Sequence, residues 1–573
     1  MHRCFQTPDI VRLIVNSLWG ANERRIDNPA DPVSLRVTYR SLACLARTCK
    51  TLQPHALDAL WSLQWGIENL LRCMHPRLLV TKKVSLGPAK GKIFMLCLTK
   101  TKLDPTDWGN FDSYAHRIKR LKISWPGHLT LTPAEPCVYR ALAICDHHRR
   151  PYLPNLTHLT YDMSELSPDI LSFCVTLLGP STRSLHVHGG QGDLITMPFL
   201  LSSSLRLSPS IRELALTLGS SPDGFSSFTN ALKLLDRVHT LSLTLHAPPP
   251  VELWNALAAA PPLIRLTLGL PRGSLWNSAI TSNLDSGTVL NLSRITHLTL
   301  RDVNAADCVR IFGSCSFASL VGVYITFPFR GPANGLELAE ALAASCPPTL
   351  RELSLHSSVK PFLGIPADRL LLFCGCREVE RVDLSVVSDL DDATLEGIAR
   401  MWPNLRKLDL MSHRGQQPRE QPEGNGTTPE GLANLVSACP HLRELSLQTD
   451  FRCVDISKDR PWSGSTSEHI RAVDVGSSLI ADAALTAAFL SDLFPNLVAI
   501  SQHGGTPDPA GRWAEVVRLL SIFTTVRAQE RRRHTQSAQR TAEFEGRRPQ
   551  GSTVMTTAPT TRITVLEPVA GID

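Results

Sequence analysis

Leu350-Arg351-Glu352-Leu353-Ser354-Leu355-His356 alternates polar and apolar residues over its last five positions. Period two puts Leu353 and Leu355 on one face of a strand and Glu352, Ser354 and His356 on the other. Leu350 completes a unit that reads apolar-x-x-apolar-x-apolar. The unit recurs fourteen times between about residues 118 and 500, with second anchors at Leu121, Leu159, Leu185, Leu214, Leu241, Leu266, Leu298, Val323, Leu353, Val382, Leu408, Leu445, Val473 and Ile500. Steps run from 25 residues (Leu241 to Leu266) to 38 (Leu121 to Leu159). One strand and its return segment cannot bury an apolar face alone, so self-similarity at this period predicts stacked units.

The segments between strands carry helical signals. Thr428-Pro429-Glu430 combines an N-cap, a first-turn proline and a first-turn acid. Leu432, Leu435, Val436 and Cys439 then share a helical face, as do Leu395, Ile398, Ala399 and Trp402 after Asp391-Asp392. Six strands are entered through Pro-x-apolar: Pro154/Leu156, Pro209/Ile211, Pro348/Leu350, Pro403/Leu405, Pro440/Leu442 and Pro495/Leu497. Proline cannot continue the preceding helix, which suits a helix-to-strand turn. Trp513, Val516, Val517, Leu520 and Phe523 form a last apolar face, read as a cap on the open end.

This pattern resembles leucine-rich repeat proteins over about 380 residues. The resemblance implies an α/β solenoid with parallel strands on the concave side and helices on the convex side. One departure leaves the curvature open: where the family's turns carry Asn or Cys, this chain has Ser358, Val303, His413 and Asp450.

Four regions are expected: a helical module at 1–75, a connector at 76–113, the repeats with their cap at 114–525, and a disordered polar tail at 526–573. The net charge of +7 is uneven. Residues 527–550 hold seven arginines against three glutamates, and the body is nearly neutral, so a nucleic-acid-binding body is not implied. No apolar run reaches the ~18–20 residues of a membrane span, and the first residues lack a signal-peptide pattern. Fifteen scattered cysteines then read as free thiols of a reducing compartment, cytoplasmic or nuclear.

Signals for chemistry are weak. Gly189-Gly190-Gln191-Gly192-Asp193 lacks the Lys-Ser/Thr of a phosphate loop, Cys374-Gly375-Cys376 has no second pair, and Cys145-Asp146-His147-His148 would splay around a helix. No nucleophile elbow or His-Glu-x-x-His stands in the chain. A non-catalytic protein without metal or cofactor is expected. The polar insert at 416–429 reads as surface slack or a contact loop.

Thr7-Pro8-Asp9 opens a helix with Ile10, Val11, Ile14, Val15 and Leu18 in an apolar stripe, and a second helical stretch carries Leu42, Leu45, Ala46, Cys49 and Leu52. These segments, with Leu60-Trp61, resemble an F-box, with Gln6-Thr7 where Leu-Pro is usual and a longer excursion between helices. The whole layout, including Asp107-Trp108, Phe111 and Tyr114-Ala115, resembles the fungal (basidiomycete-type) F-box proteins with leucine-rich repeats. The resemblance implies a substrate receptor of a cullin–RING ubiquitin ligase, with a Skp-type adaptor contacted by Ile10, Val11, Ile14, Val15, Leu18, Leu42, Leu45, Cys49 and Leu52. The alternative is that these helices only cap a repeat scaffold. A protein substrate would meet the outward strand positions, foremost Arg381, Lys407, Asp409 and Glu444.

Overall fold

The three apolar slots of the repeat unit become three buried files. The protein's structure is a computed structural model that describes residues 7, 9–17, 32–85, 92–100, 102–123, 133–162, 168–188, 203–204, 206–218, 222–232, 236–247, 249–260, 263–270, 289–327, 335–357, 364–411, 426–454, 466–502 and 511–545. Fifteen strands form one sheet in strict chain order. They are β1 (Leu63–Trp65), β2 (Arg120–Ile123), β3 (His158–Asp162), β4 (Ser184–His188), β5 (Glu213–Leu218), β6 (Thr240–Leu245), β7 (Arg265–Gly269), β8 (His297–Arg301), β9 (Gly322–Phe327), β10 (Glu352–Ser357), β11 (Arg381–Leu384), β12 (Lys407–Asp409), β13 (Glu444–Ser446), β14 (Ala472–Asp474) and β15 (Ala499–Ser501). Every neighbouring pair is parallel, and all fourteen anchors from Leu121 to Ile500 stand side by side in one register row. The leucine-rich-repeat solenoid is therefore the fold.

Three residues before each anchor, a second row runs from Ile118 to Leu497; its members are at most 5 % exposed, and Thr182 is the sole polar one. The Thr182 hydroxyl donates to the Leu156 carbonyl at 3.3 Å and accepts from the Gly179 N–H at 3.4 Å. The third row, two residues after the anchors, runs buried from Ile123 to Val475. Each buried Leu, Ile or Val contributes about 1.5–3 kcal/mol relative to exposure. Because the rows are continuous, neighbouring units share one core.

All six prolines at strand entrances occupy the second position of a tight turn. The residue before each proline accepts, at 3.1–3.2 Å, the N–H of the apolar residue two after it, as in Trp402-Pro403-Asn404-Leu405. Proline's fixed φ suits that position and supplies the stop of the preceding helix at once. At strand exits, hydroxyls replace the family's Asn ladder. Ser385 Oγ accepts from Ser357 N–H (3.1 Å), Ser478 Oγ from Thr449 N–H (2.8 Å) and Thr326 Oγ1 from Asp302 N–H (3.1 Å).

The expected helices form. Asp391 caps Asp392–Met401 and Thr428 caps Pro429–Ala438 with their side chains. Asp392 also accepts from the Thr428 N–H (2.8 Å) and hydroxyl (2.6 Å), linking two consecutive units. Gly431 is required there, since a Cβ would come within 2.0 Å of Asp392 Oδ1.

Three expectations need correction. Residues 63–65 are a strand, so the sheet begins inside the 1–75 region; Gln64 fills the anchor slot beside Leu121 and hides the repeat. Residues 76–113, expected only as a connector, hold an antiparallel hairpin (Leu79–Ser85 with Lys92–Leu98) and, with Leu103, Trp108 and Phe111, pack into the main core. Lastly, the helix Arg512–Glu545 runs through the boundary at 525. The tail reads as disordered from its Arg, Gln, Ser, Thr, Gly and Pro content, but 526–545 holds no Gly or Pro and is rich in Arg, Gln, Ala and Glu, which are good helix formers. Trp513, Val516 and Leu520 of that helix are buried, whereas Val517 is exposed. Gly189–Asp193 and most of the 416–429 insert lie outside the described residues.

Candidate functional site

The N-terminal module has its own small core. Helix α1 (9–17), α2 (Pro32–Ala46) and α3 (Gln53–Ser62) surround Val15, Leu42 and Leu63, with Tyr39, Leu45, Leu60 and Trp65 packed against them. Val11, Val15, Leu42 and Leu52 are buried, so their burial removes them from the expected adaptor-contact set. Leu45 and Cys49 are half-buried, and Leu18 lies outside the described residues. Ile10 (39 %) and Ile14 (36 %) are exposed. Sequence reading missed Leu13 (67 % exposed) beside them and Val37 (60 %) on α2. The signal was present: α1 is apolar at 10, 11, 13, 14 and 15, wider than one buried stripe needs.

The module joins the repeats by short links. α3 leads straight into β1. Trp61 stacks on Tyr114 at 4.6 Å, Arg117 reaches both the Pro54 carbonyl (3.2 Å) and the Asp58 carboxylate, and the Tyr39 hydroxyl donates to the Leu63 carbonyl at 3.4 Å.

On the open face of the sheet, Arg381, Lys407 and Glu444 are neighbours in one row, and Asp409 sits in the next outward row beside Asp383. The four expected residues are thus brought together. They are also engaged with this chain: Arg381 pairs with Glu352 at 3.4 Å and Lys407 with Asp383 at 3.2 Å. Burial, then the neighbouring Asp383, pushes the Asp409 carboxyl above its usual range. Tyr324 and His356 extend this cluster, with ring centroids 5.4 Å apart.

Two trios on this face resemble catalytic triads in composition only. Ser354 Oγ lies 2.8 Å and Asp383 Oδ1 3.4 Å from the same nitrogen, Nε2 of His356. Ser184 and Glu213 converge likewise on Nε2 of His186, at 3.0 and 3.2 Å. A relay needs the nucleophile and the orienting acid on opposite nitrogens of the imidazole base, so these are hydrogen-bonded surface clusters.

The Cys/His cluster disperses as well: Cys145 is buried, while His148 turns to Asp112 (2.9 Å) and stacks on Trp108 at 3.8 Å. Cys374 is exposed and Cys376 buried. The described cysteines are free thiols. Burial pushes half-buried Cys346 up to about 12 and buried Cys439 up to about 11, away from the thiolate a reactive cysteine needs. Among the described residues, no three His, Cys, Asp or Glu side chains gather as a metal would require, and no helix is long and apolar enough to cross a membrane.

No family model matches the chain, and no curated protein matches it. Solved structures are similar to it at low identity. A chain of the Rad7 and Elc1 complex in yeast is 16% identical, with 68% of this chain and 79% of that chain covered and a TM-score of 0.32. The leucine-rich repeat-containing protein LegL7 from Legionella pneumophila is 15% identical, covering 63% of this chain and 97% of that chain with a TM-score of 0.28.

Proposed function

We propose that this chain is a non-catalytic substrate receptor of a Skp–cullin–F-box type ubiquitin ligase, acting in the cytoplasm or nucleus. The N-terminal helices dock on a Skp-type adaptor and the repeat sheet holds a protein target. One observation carries the reading: Ile10, Leu13, Ile14 and Val37 are exposed on a module whose interior is already filled by Val11, Val15 and Leu42. Apolar side chains left over by a satisfied core are available to a partner. Tethering then raises the local concentration of the target at the ligase, so transfer becomes quasi-intramolecular.

Capture of purified Skp-type adaptor tests this. The Leu13→Asp, Ile14→Asp pair should abolish capture without moving the unfolding midpoint of the repeats. Equal capture by both proteins refutes the docking surface.

A second reading, a repeat scaffold capped by these helices, is favoured by the continuous passage from α3 into β1 and the Trp61–Tyr114 stack. Removal of residues 1–50 separates the two. A cap predicts a large fall in the melting temperature of the repeats; an adaptor module predicts a small one.

A further inference from the structure

Charges on the repeat sheet are paired in one stretch and unpaired in another. Around β10–β12 basic residues meet acids of the same chain, whereas Arg443 and Arg471 beyond them have no carboxylate partner among the described residues. Arg351 reaches Glu378 (3.2 Å) and Glu380 (3.7 Å), Arg406 reaches Glu380 (3.3 Å), and Arg381 and Lys407 hold Glu352 and Asp383. In the first half, Lys119, Arg183 and Arg212 stand at the strand entrances of β2, β4 and β5, all exposed, in a row tied by backbone hydrogen bonds through Thr157. Arg265 on β7 is exposed in the adjoining row. Among the described residues none of these four has a carboxylate partner, and two acids stand at outward positions of β2–β7: Glu213, and Asp162 at the far end of β3 beside His188. Glu213 is already held by His186 at 3.2 Å. The positive field is felt locally: after burial, Arg120 and then other cations, Arg183 among them, help hold His158 below its usual range, against Glu213.

We propose that this edge, Lys119, Arg183, Arg212 and Arg265, is the docking strip for an extended, carboxylate-rich segment of a protein target. Neighbouring strands lie ~4.8 Å apart, so β2 to β7 span the length of about seven or eight extended residues. Unpaired, exposed cations in register attract such a segment from solution and select it over a neutral one. Trp65, on the strand before β2, is already covered by Lys122 at 4.7 Å, and the rings along the strip are imidazoles, His239 in the row itself and His158 and His186 beside it. Bases of a nucleic acid would find only imidazoles to stack on, whereas carboxylates need only the cations and the Thr240 hydroxyl, the Thr157 hydroxyl being already donated to the Lys119 carbonyl at 2.8 Å. The inference deepens the substrate-receptor reading, but its test contains no adaptor and stands or falls separately.

Fluorescence anisotropy on the full chain would use a labelled Asp/Glu peptide of about eight residues, its Asn/Gln counterpart and a single-stranded oligonucleotide. The acidic peptide should bind and the neutral one should not, with affinity falling as salt rises. The Arg183→Glu, Arg212→Glu pair should weaken binding about tenfold or more, and the Arg443→Glu, Arg471→Glu pair at the same row in the other half by less than about twofold. Should charge reversal unfold the chain, Arg183→Gln, Arg212→Gln replaces it. Absent binding by the wild type, equal loss in both pairs, or tighter binding of the oligonucleotide overturns the proposal.

Discussion

The two ends of the solenoid are closed in different ways. At the C-terminal end, Trp513, Val516 and Leu520 belong to the main core, and the Trp513 indole N–H donates to the Ser478 carbonyl at 3.1 Å. At the N-terminal end, Val15, Leu42 and Leu63 form a separate small cluster, joined to the repeats by β1 and a few side-chain links. One closure is part of the body it seals; the other is a satellite with its own core. Both ends leave apolar residues in water, Leu13 and Val37 at one and Val517, Ile522 and Val526 at the other, so it is the separate core that suits a second task at the N-terminal end.

The largest effect is expected at the sealed end. Trp513→Ala removes a buried indole from the shared core and should cost about 3–5 kcal/mol, read as a lower urea midpoint for the whole repeat array. Were only the last unit to loosen, the claim of one continuous core would fail. At the other end, Leu42→Ala should cost about 2–4 kcal/mol, confined to the module. Amide exchange should rise across 9–62 while strands β3–β15 keep their protection. If those strands lose protection too, the N-terminal helices are a cap like their counterpart and the contrast disappears.

Much of this contrast was legible in the sequence, and the reasons differ by region. The fourteen anchors declared themselves because an identical slot must be apolar in every unit, and the structure places them in one row. β1 was missed because Gln64 occupies that slot, its amide bonded to the Leu60 carbonyl at 3.1 Å and its oxygen to Asn69 at 3.2 Å. Local hydrogen bonding made a polar residue tolerable where the pattern demanded an apolar one. On the open face, outward positions were legible from period two, and Arg381, Lys407, Asp409 and Glu444 were placed together. Their engagement with Glu352 and Asp383 was not, because strand spacing in sequence does not reveal which charges become cross-strand neighbours. The exposure of Ile10 and Ile14 against the burial of Val11 and Val15 was hidden by the breadth of the apolar pattern on α1.

A third region sharpens the comparison by pH. Asp307, in the first turn of the helix Ala305–Ser314 and 3 % exposed, has its carboxyl raised to about 6 by burial, opposed by Arg310 at 3.8 Å and the Asn304 side chain. The folded state keeps this proton at a pH where the unfolded chain has lost it. Stability therefore falls as pH rises from about 4 to about 6, and the loss is complete above that window. Asp307→Asn should gain about 1–2 kcal/mol over wild type at pH 7.5 and nothing at pH 4. The gain should register in the repeat transition that Trp513 shares and leave the α1–α3 transition unmoved. Wild type proving the more stable at pH 7.5 would reverse the sign and place the charge in a favourable site.

The smallest effect concerns how the end helices begin. Helix Ala483–Leu493, against which Arg512–Glu545 packs, is capped by Asp482, whose carboxylate accepts from the Ala484 and Leu485 N–H groups at 2.7 and 3.0 Å. α3 at the opposite end starts from Leu52 with no side-chain cap and relies on Pro54 in its first turn. Asp482→Ala should thus cost about 1 kcal/mol, and Asp482→Asn, which keeps the acceptor, only a few tenths. Because the capped helix seals the shared core, this loss should add to that of Trp513→Ala with a positive coupling in a double-mutant cycle. Strict additivity would mean that helix start and indole act independently, and that the sealed end is less of a unit than its packing implies.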